Sequence, residues 1–420
     1  MKESTTPTPI LIDAGTRFTC EPCGYCCSFW DTHIDQKRKE SLDEKDWVKN
    51  LSQNLQASRR QSMFKILGQS DQALIHRERG ACGFLNSDLL CSIHSIEGFD
   101  AKPLVCQQYP NIYYETPRGL EVFLDYSCPE VIRGVGEALT PEGVAKTLQQ
   151  ASVQKVDSSI PLNAKTNLDW GGYARLEQAF LGILGASLHY GEKILQLNQL
   201  ASALGERLKN KPSAQRNDVD EALATIRIIG MNDTLKGDRS AKSSRGDLYL
   251  AILVQWVEST FSREAVNTTM NSIKVLGNIL RQWKGVGEYT FNIFKFRVNY
   301  AQARRVTFNF DSVALRDPLD RYLYHQIRTL AGTGTIPIAR RLTIIATNFA
   351  LVKWFGRAYA ASNGRSEVNL EDVVFAIKIV EKFLSNRLFN KLAVQRSLLS
   401  NYLNLLFDTP TLAATLLSQP

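Results

Sequence analysis

The chain has 420 residues, 44% of them hydrophobic and 22% charged, with a formal net charge of +8. That balance is ordinary for a globular protein with room for two or three domains of roughly 100–200 residues each. The positive excess is mild for this length and lacks the concentrated basic patch of a nucleic-acid binder, which points away from nucleic acid as the partner.

Residues 1–9 are polar and carry Pro7 and Pro9, with no apolar core and no small-residue cleavage site, so a secretory signal is not expected. The most apolar long segment, Leu342 to Phe355, is interrupted by Thr343, Thr347, Asn348 and Lys353, and is too short to span a bilayer. The expectation is a cytoplasmic protein without a membrane span, where disulfides rarely persist. All eight cysteines, Cys20, Cys23, Cys26, Cys27, Cys82, Cys91, Cys106 and Cys128, precede residue 129. In a reducing compartment such a block points to metal ligation or redox chemistry.

In chain order, Ile10 to Gly15 is a short apolar run ending in a turn, which predicts a strand leading into the first cysteines. Ser41 to Gly68 is charged and amphipathic, with Trp47, Val48, Leu51, Leu55, Phe64 and Leu67 at mostly helical spacing, and predicts one or two helices. From Gly80 to Pro129 glycines and prolines punctuate short apolar pieces. Asn111–Glu115 and Leu120–Leu124, flanking Pro117-Arg-Gly119, predict a hairpin. Beyond Thr140 the texture is helical: Thr140-Pro-Glu supplies an N-cap with Pro at the first helical position, and Asn369-Leu-Glu-Asp372 caps another helix. Periodic stretches lie at 170–208, 213–229, 248–284, 288–303, 317–331 and 338–360. Asn232 to Gly246, rich in Ser, Lys, Arg and Gly, reads as a loop or linker. The predicted fold is mostly α. An irregular α+β cysteine-rich metal-binding domain at 1–135 is followed by an all-α helical domain at 136–420, divided near 232–246.

Two thiolates separated by two residues can reach one metal without straining the backbone, and Cys20, Cys23 and Cys26 repeat that spacing. Three cysteines so spaced, with a remote Cys-Pro such as Cys128-Pro129, suit a 4Fe-4S iron–sulfur cluster; zinc also accepts four thiolates. Side chains of adjacent residues usually diverge, so one of Cys26 and Cys27 is expected to serve a second site or to lie outside the first coordination shell. Cys27, Cys82, Cys91 and Cys106 would then form a second four-thiolate set, and a single site with four spare cysteines is the competing arrangement. His94, in Cys91-Ser-Ile-His94, could replace a thiol, although a hydrogen-bonded turn residue is the plainer reading.

Taken together, Cys20-x-x-Cys23-Gly-x-Cys26-Cys27, Gly80-Ala-Cys82-Gly-Phe-Leu85, Leu90-Cys91-Ser-Ile-His94, Lys102-Pro103-x-x-Cys106, Tyr109-Pro110 and Ser127-Cys128-Pro129-Glu130 resemble the cysteine-cluster (CxxCxxCC) proteins that chelate zinc or iron. The ending, with its long helical tail, is similar to the flagellin lysine N-methylase branch. That resemblance implies an iron–sulfur cluster, S-adenosylmethionine as methyl donor and a protein substrate. From the residues themselves no methyl-donor site is visible: Gly332-Thr-Gly334 follows a helical stretch and lacks the further glycine of a dinucleotide-type turn. Aromatic residues of the tail, such as Phe291, Phe296 and Tyr322, read as core with the neighbouring Lys and Arg solvated; the sharper alternative is a groove for a protein or anionic ligand, with Arg340-Arg341 as the place to look. The competing readings are a methylase, an electron carrier, and a non-enzymatic interaction module stiffened by zinc or a cluster. The partner in each case is a protein rather than nucleic acid, and oligomeric state is left open.

Overall fold

The computed structural model describes residues 8–28, 31–43, 47, 63–66, 72–78, 81–148, 151–227, 246–255, 258, 269–291, 295–334 and 336–382. The chain divides into two compact units, residues 1–155 and 156–420.

In the first unit the hairpin is present as β7 (Asn111–Thr116) and β8 (Gly119–Leu124), turning at Pro117 and Arg118. β1 (Ile10–Ile12) adds in parallel to β8, and β9 (Val153–Lys155) adds in parallel to β7. Strand alternation puts Tyr113, Leu120 and Val122 in a buried cluster with Val144 of the Pro141–Leu148 helix. That helix starts as its sequence dictates, with Thr140 Oγ1 accepting from Gly143 N at 3.2 Å. A second sheet runs β2 (His33–Asp35), β4 (Gln72–Ile75), β3 (Phe64–Ile66), and β5 (Arg77–Glu78) pairs with β6 (Ala81–Cys82). Here the helical expectation for Ser41–Gly68 needs correction at Phe64. It lies on β3, where its ring packs against Phe84 at 5.9 Å, because an edge of the sheet buries it better than a helix face would. Val48, Leu51, Leu55 and Leu67 lie outside the described residues.

The second unit is built on the Ile338–Ser362 helix, buried around most of its circumference through Leu342, Ile345, Leu351, Val352 and Phe355. A helix apolar on most sides has to be surrounded. The helices Tyr190–Arg207, Tyr300–Arg305 and Leu370–Val380 pack on it. The last is closed by a capping box between Asn369 and Asp372, as expected. Trp170–Gly185 packs against Arg216–Thr225 and Val313–Arg328, with a buried Glu177–Arg328 ion pair at 2.6 Å.

The expectation of an all-α second domain is overturned, and the fold is mixed with many helices. β10 (Ser159–Pro161), β11 (Asn167–Asp169) and β12 (Ser213–Ala214) form one sheet, and β13 (Glu288–Phe291) pairs antiparallel with β14 (Phe296–Asn299). The stretch at 288–303 therefore begins as a hairpin and becomes helical only at Tyr300. Its Phe, Tyr, Thr and Val content favours strands, and alternation buries Phe291, Phe296 and Val298 while Glu288 pairs with Arg297 at the surface. The segment 232–246, expected from its composition to be a loop or linker, lies outside the described residues apart from Gly246, which begins a helical turn. Among the described residues, no helix is long and apolar enough to cross a membrane.

Candidate metal centre

Local chain geometry carries the cysteines. Cys20 and Cys23 lie in exposed irregular backbone, and Cys26 and Cys27 lie in a single 3-10 turn, Cys26–Ser28. Gly24 has a φ of +62°, and a Cβ there would meet Leu89 Cδ2 at 3.2 Å. Glycine thus permits both the left-handed turn and the close approach of the loop between Cys82 and Cys91. The start of the motif is clamped to the segment beyond Cys128: Phe18 N donates to Glu137 O at 2.9 Å, and Glu137 N donates to Thr19 Oγ1 at 3.0 Å. Gly136 sits so close that a Cβ would come within 2.5 Å of Thr19 N. Segments more than a hundred residues apart are joined by this clamp.

Cys82 ends β6 and is buried in an apolar cluster with Ile34, Leu42, Trp47, Phe64, Ile75, Phe84 and Ile93, against which Cys27 and Cys91 also pack. Cys91 sits at the N-cap of the Ser92–Glu97 helix, Cys106 lies within the Leu104–Gln108 helix, and Cys128 is the N-cap of Pro129–Arg133. All eight cysteines are free thiols.

The thiols form one connected electrostatic neighbourhood. Cys20 feels Cys26 and Cys23, Cys128 feels Cys23, Cys27 feels Cys26, Cys82 and Cys91, and Cys106 feels Cys82, Cys91 and Cys26. The expected divergence of Cys26 and Cys27 does not occur, since their sulfurs are 3.9 Å apart. The tight turn rotates both side chains to one side. Two thiolates on one tetrahedral zinc, each about 2.3 Å from it, stand about 3.8 Å apart. Among the described residues, no three His, Cys, Asp or Glu side chains stand in a ready coordinating arrangement, so the thiols are neighbours rather than a closed shell.

Electrostatics distinguishes the sulfurs. The Cys27 thiol hydrogen-bonds Cys26 and holds Cys26 well below the usual thiol range, while Cys27 is raised by the same bond. Burial pushes Cys82, Cys106 and Cys128 up to about 12. Backbone N–H groups oppose that rise, from Phe84 at Cys82 and from Val131 and Glu130 at Cys128. Buried thiols with backbone donors aimed at them suit a cation that replaces their protons, and the donor set therefore fits zinc or iron.

Residues to which the sequence reading gave no role complete the neighbourhood. The Lys102 ammonium favours the thiolate at Cys20, Cys26 and Cys106, and lies 5.2 Å from the centre of the Phe99 ring. The Tyr109 hydroxyl hydrogen-bonds Cys128 and pairs with Ser127 Oγ at 3.3 Å. Both residues belong to the Lys-Pro and Tyr-Pro words of the motif, and that was the signal available. His94 is exposed on the Ser92–Glu97 helix, with its ring edge-on to Phe99 at 6.1 Å. Of the Arg340-Arg341 pair, Arg341 is buried, 2% exposed, and Arg340 is half-buried.

Neither a curated protein nor a solved structure matches the chain. A family model does: residues 19–129 match CxxCxxCC, described as a putative zinc- or iron-chelating domain. The match spans all eight cysteines, from just before Cys20 to just past Cys128, so this segment of the chain is similar to that family.

Proposed function

We propose that residues 19–129 bind zinc or iron through cysteine thiolates, with an iron–sulfur cluster as the finer form of that reading. The observation that carries it is the gathering of eight free thiols, from five separate pieces of backbone, into one neighbourhood. Eight thiolates exceed the four of a single zinc site and are enough for two four-thiolate centres. Lys102 and the backbone donors offset the negative charge that such a set accumulates.

Anaerobic purification with metal and sulfide analysis and a visible spectrum tests the proposal. Iron with acid-labile sulfide is the expected result. Zinc without iron keeps the chelation reading but removes the cluster, and with it an electron carrier. Protein that takes up neither metal overturns the reading. Methyl transfer to protein lysine from S-adenosylmethionine rests on the likeness to flagellin N-methylases alone, and calorimetric titration of the metal-loaded protein with that donor decides it: no heat of binding removes it.

A further inference from the structure

The second unit contains a cavity of about 210 Å³ between the Tyr190–Arg207, Thr269–Lys284, Tyr300–Arg305 and Ile338–Ser362 helices and the helical stretch at 246–255. It is remote in sequence from the cysteines, and nothing in the metal reading uses it. An apolar cavity of about 150 Å³ accommodates benzene. This one has room for a single ring bearing a substituent.

Its walls are of two kinds. One is aromatic: Tyr190, Tyr300, Phe310, Phe349 and Trp354 line it, with Tyr190 stacked on Phe349 at 5.5 Å and packed against Phe310 at 5.6 Å, and their apolar rims suit an aromatic guest. The other is charged. Arg304, Lys353 and Arg357 line it, against one carboxylate, Asp247, among the described lining residues. Asp247 pairs with Arg304 at 3.5 Å. Lys353 and Arg357 are one helical turn apart, where like charges oppose each other. Arg357 is held in place by donating Nε to Val306 O at 2.8 Å, and Lys353 Nζ lies 5.7 Å from the centre of the Phe310 ring. Burial and the neighbouring Arg357 hold Lys353 down to about 8, the cost of keeping a cation in this wall. Gln282, also in the wall and 5% exposed, has no acceptor for its Nε2. Rings, an excess of cations and an unmatched donor all favour the same kind of guest.

We infer that this cavity binds a small aromatic anion, a single ring carrying a carboxylate or phosphate. The ring lies within the aromatic wall while the anionic group meets Lys353 and Arg357. The inference stands whether or not the thiols hold a metal.

Benzoate and phenyl phosphate are the probes, titrated into the full-length protein by calorimetry and ligand-observed NMR. Benzyl alcohol keeps the ring without the charge, and inorganic phosphate keeps the charge without the ring. The expected result is saturable binding of at least one aromatic anion, at least tenfold tighter than either control. Whichever of the two binds better identifies the head group. Lys353→Met, which keeps the bulk of the chain, should weaken that binding about tenfold with an unchanged circular dichroism spectrum. A measurement on the unaltered protein stands beside it should the variant not fold: the bound anion should protect Lys353 from amine acylation, read by mass spectrometry. Binding of benzyl alcohol as tight as that of the anions, no binding of either anion, or Lys353 acylated equally with and without them would each overturn the inference.

Discussion

The two units solve the problem of a stable core in different ways. The second buries long helices, including the 16-residue Trp170–Gly185 and the 25-residue Ile338–Ser362, around one another. Among the described residues, the first has strands of two to six residues and α-helices of five to eight, with buried apolar side chains around Phe84 in one cluster and around Tyr113 in another. Short elements bury little area per backbone residue ordered, so such a unit gains most from cross-links that do not depend on area. Thiols placed at strand ends and helix N-caps are suited to that task. The comparison also corrects a simple view of cysteine loops as coreless: Cys82 is itself part of an apolar cluster with Phe84 and Trp47, whose rings meet edge-on at 5.0 Å.

If metal is the cross-link, removing it should separate the two modes. Treatment of the metal-loaded protein with a strong chelator is predicted to release the turn at Cys20–Ser28 and the Pro129–Arg133 helix, with a loss of up to about 10 kcal/mol of local stability. Hydrogen exchange should accelerate there, with β2, β4 and the Ile338–Ser362 helix still protected. Loss of protection in β2 and β4 as well would mean that the apolar cluster depends on metal.

The reverse perturbation is next in size. Phe84→Ala and Phe355→Ala each empty a fully buried site and should cost about 3–5 kcal/mol in chemical denaturation. Only Phe84→Ala should also reduce bound metal, because Phe84 lies between Cys82 and the loop to Cys91. Equal metal content in both variants would show that core and site are uncoupled.

A pH test sharpens the picture of the second unit. Burial and the neighbouring Arg341 hold His325 down to about 3, against an ordinary value of 6.5. The folded protein therefore keeps this imidazole neutral while the unfolded chain takes up a proton as pH falls below 6.5. Stability is unaffected above that pH, falls between 6.5 and 3, and levels off below. By pH 5 the loss is about 2 kcal/mol. The urea midpoint of His325→Gln should fall less steeply over the same range, and parallel curves would refute the assignment.

The smallest predicted effect is Asn369→Ala, which removes the side chain that accepts from Asp372 N at 3.1 Å and should cost about 1 kcal/mol. A melting temperature unchanged by this substitution would show that the cap is redundant.

Much of this was legible in the chain because it is local. Pro117-Arg-Gly119 between two β-rich runs, Thr140-Pro-Glu and Asn369-x-x-Asp372 each specify structure through a few neighbouring residues, and each is found where the pattern put it. The 288–303 stretch is ambiguous by itself, because short apolar runs fit a helix or a strand equally well. Pairing across Lys295, which adopts a φ of +55°, decided it. Phe64 was misassigned for a related reason, its place being set by strand partners outside its own segment.

That eight thiols crowd the first third of the chain, and in what spacing and motif words, can be read along the chain alone. Composition and short-range pattern suffice for that, since ligand spacing is written along the backbone. Folding is what brings Cys26 and Cys27 together, joins the segments around Thr19 and Glu137, and sets Lys102 and Tyr109 near the sulfurs. Those relations depend on side-chain direction and on contacts across more than a hundred residues. The aromatic and cationic cavity of the second unit is of the same kind, assembled from several helices of which none carries the pattern alone.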